Sequence, residues 1–226
     1  MSIRSALASE CANAPGTPAA LKAITALLLA ALLTLLPAGP AQAQAEGEFS
    51  PSAVAKGVLL VASPTLNDPN FFQTVVLVVE HGPGGTLGVI LNRSTKVLLS
   101  EALPEIAALK GTGHRLFAGG PVEPTRLLLL FRLKEPPADA RSVFDGVYVG
   151  GTPSVLERII TQGKPNETFR AFGGYAGWGP GQLGFEMLQG AWAVLRPDSA
   201  GIFDQEPETL WEDCVRRIQA PRVISN

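Results

Sequence analysis

The stretch Thr74-Val-Val-Leu-Val-Val-Glu-His-Gly-Pro-Gly-Gly-Thr-Leu-Gly-Val-Ile-Leu91 decides the fold. Thr74–Val79 is rich in β-branched residues and reads as a strand. Thr86–Leu91 reads as another, and the turn His81-Gly-Pro-Gly-Gly85 joins them into a hairpin. Both strands are apolar on successive residues rather than on alternate ones. That pattern predicts a hairpin covered on both faces.

Working outward, Gly57–Ala62 is a short apolar run and reads as a buried strand. Ser63-Pro-Thr-Leu-Asn-Asp-Pro-Asn70 is dense in turn formers. Leu98–Leu109 carries a helical pattern with Ser100 near its start, limited by Pro104. Arg115–Ala118, Leu127–Phe131 and Gly146–Val149 read as further strands, the first ending in Gly119-Gly-Pro121. Thr152 caps a helix over Pro153–Ile160, with proline in its first turn and Gly163 beyond its end. Phe169–Gly173 is a strand leading into Gly174-Tyr-Ala-Gly-Trp-Gly-Pro-Gly-Gln-Leu183. That segment sets glycines beside two large aromatics and an amide, as a backbone does that turns sharply or approaches something closely. Gln182–Leu188 is a brief helix stopped at Gly190, and Ala191–Leu195 is a strand. Pro207–Gln219 is a last helix, with Arg216 and Arg217 complementing its dipole. About seven strands and about four helices in irregular order predict the α+β class. The architecture expected is a single compact domain, a mixed and mostly antiparallel sheet with flanking helices.

The first 45 residues stand outside that domain. Arg4 and Lys22 precede the apolar run Ala23–Leu36, Pro37 and Pro40 follow, and Ala43 and Ala45 close small-residue cleavage sites. The order is that of a secretory signal peptide, and its apolar run falls short of the ~20 residues a spanning helix needs. Residues 46–53 form a polar lead-in, and the domain occupies 54–226. The expectation is export, to the periplasm or beyond. A start codon placed too far upstream is the alternative: translation beginning near Val54 leaves the protein cytoplasmic. Arg4, Lys22 and Glu10 leave with the leader, so 16 basic and 19 acidic residues remain, a net charge of −3. With no basic cluster, direct binding of nucleic acid is not expected. No segment of the mature chain is expected to span a membrane.

No recognisable catalytic constellation stands out. Gly-x-Ser-x-Gly and Ser-x-x-Lys are absent, and Gly82–Gly88 lacks the Lys-Ser/Thr of a phosphate-binding loop. His81 and His114 are the only histidines, neither with a histidine or cysteine at ligand spacing, so no metal and no cofactor is implied. His81 reads either as an acid/base group or as a ring bonded to its turn; His114 reads as a loop residue. Cys214 lies on the apolar stripe of the last helix, the position of an inert core thiol. Asn67 and Asp68 suit local turn caps. Arg93 is expected to pair with Asp68 or Glu80, or to hold an anionic ligand. Trp178 and Gln182 suit either a ligand shelf or a lid on the sheet edge.

Several stretches taken together resemble the YqgE/AlgH family. They are Ala62-Ser-Pro-Thr-Leu-Asn-Asp-Pro69, Val78-Val-Glu-His81, Leu87-Gly-Val-Ile-Leu-Asn-Arg93, Gly119-Gly-Pro-Val122, Gly174–Leu183 and Ala191-Trp192. The resemblance covers roughly residues 54–219 and implies a compact α+β fold around a mixed sheet. The AlgH name implies regulation of alginate synthesis, which an exported protein does not achieve by touching a promoter. Two departures stand out. The family usually has Glu after Gly-Gln-Leu where this chain has Gly184, with Glu186 nearby. It also usually has a histidine near the end of the strand that here reads Leu127–Phe131, around Leu130.

Two function classes follow. The first is a non-enzymatic binding or regulatory module for a protein or small-molecule partner. Its glycine-rich groove is built from Asp68, His81, Arg93, Tyr175, Trp178, Gln182 and Glu186. The second is a small-molecule enzyme using His81, Asp68 or Glu186 as acid/base in the same groove.

Overall fold

The computed structural model describes residues 49–220, apart from 136 and 151. The leader, its cleavage sites and the last six residues of the domain lie outside the described residues. Strands β1 (Leu59–Ala62), β2 (Val75–Gly82) and β3 (Gly85–Ile90) form a meander, and β2 pairs with β3 as far as Gly82 opposite Gly85. His81 and Gly82 therefore belong to the strand, and Pro83 and Gly84 alone make the turn. The alternation expected of a doubly covered hairpin is present. Val75, Leu77 and Val79 enter one apolar cluster, while Val76 and Val78 enter another.

Strand β4 (Ser94–Leu98) runs into a single-turn helix α1 (Leu99–Ala102) and a 3-10 turn at Ala107–Leu109. The long helix expected over Leu98–Leu109 is thus only one turn. Glu101 Oε2 accepts from Leu98 N at 3.3 Å to start it, and Pro104 prevents its continuation. Then come β5 (Arg115–Ala118), β6 (Val122–Arg132), β7 (Ala140–Phe144), β8 (Val147–Gly150), α2 (Pro153–Thr161), β9 (Thr168–Trp178), α3 (Gln182–Leu188), β10 (Trp192–Leu195), α4 (Ser199–Phe203) and α5 (Leu210–Gln219). The sheet has ten strands along the path β10-β1-β2-β3-β9-β6-β8-β7, with β5 on β9 and β4 on β5. Only β5 and β9 run parallel among these pairs.

The sheet curls, bringing β7 toward β2, where Arg141 forms an ion pair with Glu80. Its inner face holds Leu77, Val89, Leu130, Val147 and Phe172, closed by Ile202, Leu210 and Cys214 of α4 and α5. Two clusters cover the outer face. Leu183 and Met187 of α3 lie over β1, β2 and β10, and Leu99, Leu109 and Leu156 lie over β6 and β9.

The segment Gly174–Leu183 does both things its glycines suggested: Gly174–Trp178 continues β9, and the chain turns at Gly179–Gly181 before the next helix. The close approach that the glycines suggested is real. Leu116 and Leu129 both register with Ala171, so β5 and β6 occupy opposite edges of β9. Gly119, Gly120 and Pro121 carry the chain across β9 from one edge to the other. The crossing point is Gly174, where an added Cβ would lie 2.6 Å from Gly120 O and 2.9 Å from Val122 O. Gly174 is left-handed, with φ of 73°. Before it Phe169 and Ala171 face outward, and after it Ala176 and Trp178 do. The residue therefore resets the alternation as a bulge does.

Candidate functional site

The crossing and the hairpin tip together build an open groove of about 630 Å³ on the inner face of the sheet. Leu87 registers with Glu80 on one side and Gly177 on the other, and Val122 registers with Tyr175. These residues, His81 and Thr86, with the backbone of Gly82, Gly84 and Gly85, line the groove. An irregularity between Val78 and Glu80 shifts the β2 register and places His81 opposite Thr86. His81 Nδ1 and Thr86 Oγ1 are hydrogen-bonded at 2.8 Å. The imidazole is thus held by a side chain across the hairpin rather than by the turn backbone. Tyr175 Oη donates to Glu123 Oε1 at 3.3 Å, and the Arg126 guanidinium sits 5.4 Å from its ring centroid. Glu80 is held by Arg141 and Glu123 by Arg126.

The seven residues expected in one groove divide between two neighbourhoods. His81 and Tyr175 line the groove, and Trp178 borders it. The Trp178 indole lies in the cluster on the opposite face, 4% exposed. There it meets Phe71, stacked at 5.7 Å, and Trp192, edge-on at 5.6 Å. Glu186 is the hub of this second neighbourhood. Its Oε2 accepts from Trp178 Nε1 at 2.9 Å and from Trp192 Nε1 at 2.8 Å, and its Oε1 accepts from Gln182 Nε2 at 3.0 Å. Gln182 Oε1 in turn accepts from Gly179 N at 3.1 Å. Two buried indoles need acceptors, and one carboxylate supplies both.

Asp68 lies on the loop that carries Phe71, and Arg93, between β3 and β4, reaches that loop from the sheet. Asp68 Oδ1 accepts from Asn70 N at 2.7 Å, a turn cap. Arg93 makes no ion pair with Asp68 or Glu80. Its Nη2 donates to Pro69 O and Phe72 O at 3.3 and 3.4 Å, tying the loop down. Asn92 does the same from the strand side, donating to Gln73 O and accepting from Val75 N. Gly184 sits on α3 facing Pro51 rather than the indoles, with 3.7 Å between an added Cβ and Pro51 Cβ. The missing Glu at 184 therefore removes nothing from the Glu186 hub. Leu130 is buried in the inner cluster, away from the groove.

Thr86, Leu87 and Val122 escaped the sequence reading as groove residues. Thr86 registers with His81 across the hairpin turn, so pairing the strands residue by residue finds it. Val122 registers with Tyr175 only through the crossing of β9, which no local pattern announces. His114 is an exposed loop residue just before β5, as expected. Its ring packs on Phe169 at 4.6 Å, and this partial desolvation lowers its pKa from the ordinary histidine value. Among the described residues, no group of three or more His, Cys, Asp or Glu is placed to hold a metal ion. Nor is any described helix long and apolar enough to cross a membrane.

Cys214 is buried at 1% exposure, and burial pushes its thiol from 9.0 up to about 11. Its folded pKa exceeds the unfolded one, so its contribution to stability is complete below about pH 9 and fades as pH climbs toward 11. In the folded protein the thiol is expected to resist iodoacetamide at pH 8, and to react at once in denaturant. Mass spectrometry of the alkylated chain checks this.

A family model described as AlgH-like matches residues 59–222 of this chain. The chain belongs to the AlgH-like family. The match spans the ten strands and the five helices described above. A UPF0301 protein of Streptomyces avermitilis is 37% identical over 174 residues, covering 71% of this chain and 85% of the relative. One from Anaeromyxobacter sp. strain Fw109-5 is 38% identical over 181 residues, covering 75% and 90%. The solution structure of the AlgH protein from Pseudomonas aeruginosa matches with a TM-score of 0.61 at 29% identity, over 74% of this chain and 89% of that one. A crystal structure from Corynebacterium diphtheriae matches with a TM-score of 0.62 over 74% and 88%; at 24% identity it bears on the AlgH-like fold alone.

Proposed function

We propose that this AlgH-like chain is a non-enzymatic binding module whose groove, at the glycine-rich end of the curled sheet, takes a small-molecule ligand. The observation that carries the reading is the meeting of His81, Thr86 and Tyr175 in one 630 Å³ groove, with both neighbouring carboxylates engaged by arginines. Concave sites lined by apolar surface with a few polar groups are preferred ligand positions. Binding rather than catalysis is favoured because Asp68 caps a turn and Glu186 is committed to two indoles and an amide. Neither carboxylate reaches the groove.

Thermal denaturation across a metabolite panel tests this. A ligand at a hundredfold excess over its Kd stabilises by about 2.7 kcal/mol. The expected result is at least one such shift, abolished by Tyr175→Ala. A panel without any shift, or a shift untouched by that substitution, overturns the reading.

The same proposal places the module outside the cytoplasm, because residues 1–45 have the layout of a signal peptide. Sequencing the mature N-terminus tests it. A start after Ala43 or Ala45 supports export, and a start at residue 1 or near Val54 removes it.

A further inference from the structure

We propose that the groove ligand is an uncharged, flat ring whose edge carries both a hydrogen-bond donor and an acceptor, read by His81 Nε2 and the backbone of the glycine turn. The inference rests on the binding-module reading and goes on to name the class of ligand.

Charge argues first. The two carboxylates at the groove are each neutralised within the chain, Glu80 by Arg141 and Glu123 by Arg126. Both pairs are exposed at the rim, and no arginine or lysine lines the groove itself. A phosphate or carboxylate would meet no unpaired cation there, and a cation would meet no unpaired anion. An uncharged ligand suffers neither mismatch.

Shape argues second. Gly82, Gly84, Gly85 and Gly177 present backbone without side chains, and Leu87 and Val122 add low apolar surface. The Tyr175 ring leans over Gly177, with 3.3 Å between an added Cβ there and Tyr175 Cε2. A planar molecule can lie along such a floor against an aromatic wall, where offset or edge-to-face contact adds to burial.

Polarity argues third. His81 Nδ1 is occupied by Thr86. Nε2 is therefore the free ring nitrogen, a donor in one tautomer and an acceptor in the other. A ligand edge offering both groups satisfies either tautomer.

The test is an NMR titration of the labelled mature protein, following the His81 and Tyr175 ring resonances. The probes are adenine, uracil and nicotinamide as uncharged rings, with inorganic phosphate and citrate as anions. The expected result is saturable movement of both resonances with at least one ring and none with the anions. His81→Phe should weaken that ring about fivefold, the worth of one hydrogen bond. Gly177→Ala, which displaces Tyr175 without removing it, should also weaken it. Saturable movement with the anions and none with the rings overturns this inference and leaves the groove as a binding site. Immobility of both resonances with every probe overturns it together with the reading on which it rests. Ring binding that survives both substitutions unchanged overturns the assigned contacts and, with them, the proposal.

Discussion

Glu186→Ala is expected to destabilise the protein by about 3 kcal/mol, because it strands two buried indole N–H groups at about 1–3 kcal/mol each. Trp178 and Trp192 are 4% and 1% exposed, so once the carboxylate is gone their N–H groups depend on water entering the space it vacates. For a domain of this size the melting temperature should fall by about 10 °C. Tryptophan fluorescence should shift to the red as the indoles loosen. Glu186→Gln keeps an oxygen for the indoles but loses the charge, and should recover about half of the stability. Chemical denaturation of the three proteins, read by fluorescence and circular dichroism together, measures this. Equal midpoints would show that the carboxylate does not hold the indoles. The groove is affected only through Trp178, which borders it, so the His81–Thr86 hydrogen bond should survive Glu186→Gln.

Gly174→Ala should have the larger effect. Its Cβ would press on Gly120 O and Val122 O at 2.6 and 2.9 Å, and its φ of 73° strains any L side chain. Backbone atoms on both sides of the crossing leave no room to yield. The expected cost exceeds about 4 kcal/mol, enough to remove the protein from the soluble fraction. Gly120→Ala should behave alike, since φ there is 154° and its Cβ would run into the Tyr175 backbone. Gly113→Ala is the control. Nothing lies within 4 Å of its Cβ position, and its stability should stay within about 0.5 kcal/mol of the parent. Soluble yield and urea midpoints of the three substitutions decide the matter. A well-folded Gly174→Ala protein would contradict the crossing.

Much of this fold was legible because β-branched, doubly apolar strands announce themselves. β1, β2 and β3 lie where the pattern of apolar residues puts them, as do β5, β10 and the helix after Thr152. Strands β4 and β7 were not legible. Half of their residues are exposed, with Val143 the single buried position in β7 and none in β4. Neither carries the alternation that marks a strand half in the core. Helix α4 is too short, at five residues, to display a period. The site divides in the same way. His81 and Tyr175 declared themselves by residue type beside glycines. Arg93, Asp68 and Gln182 did so equally, yet serve carbonyls, a turn and a carboxylate. Composition marks a polar group, but only the partner it reaches in three dimensions separates a ligand contact from a brace. Glu186 looked like a candidate acid for the same reason.

The crossing of β9 has a consequence for how the protein assembles. β5 and β6 follow one another along the chain, yet β9, made much later, must lie between them. They can never zip together as a hairpin and leave room for it. Neither strand has its β9 partner until residues 168–178 have been made. Long-range pairing of this kind pays loop-closure entropy before it gains contacts, and so folds slowly. Val122 and Tyr175 meet only when β9 is in place. That wall of the groove therefore exists only once β9 lies between β5 and β6.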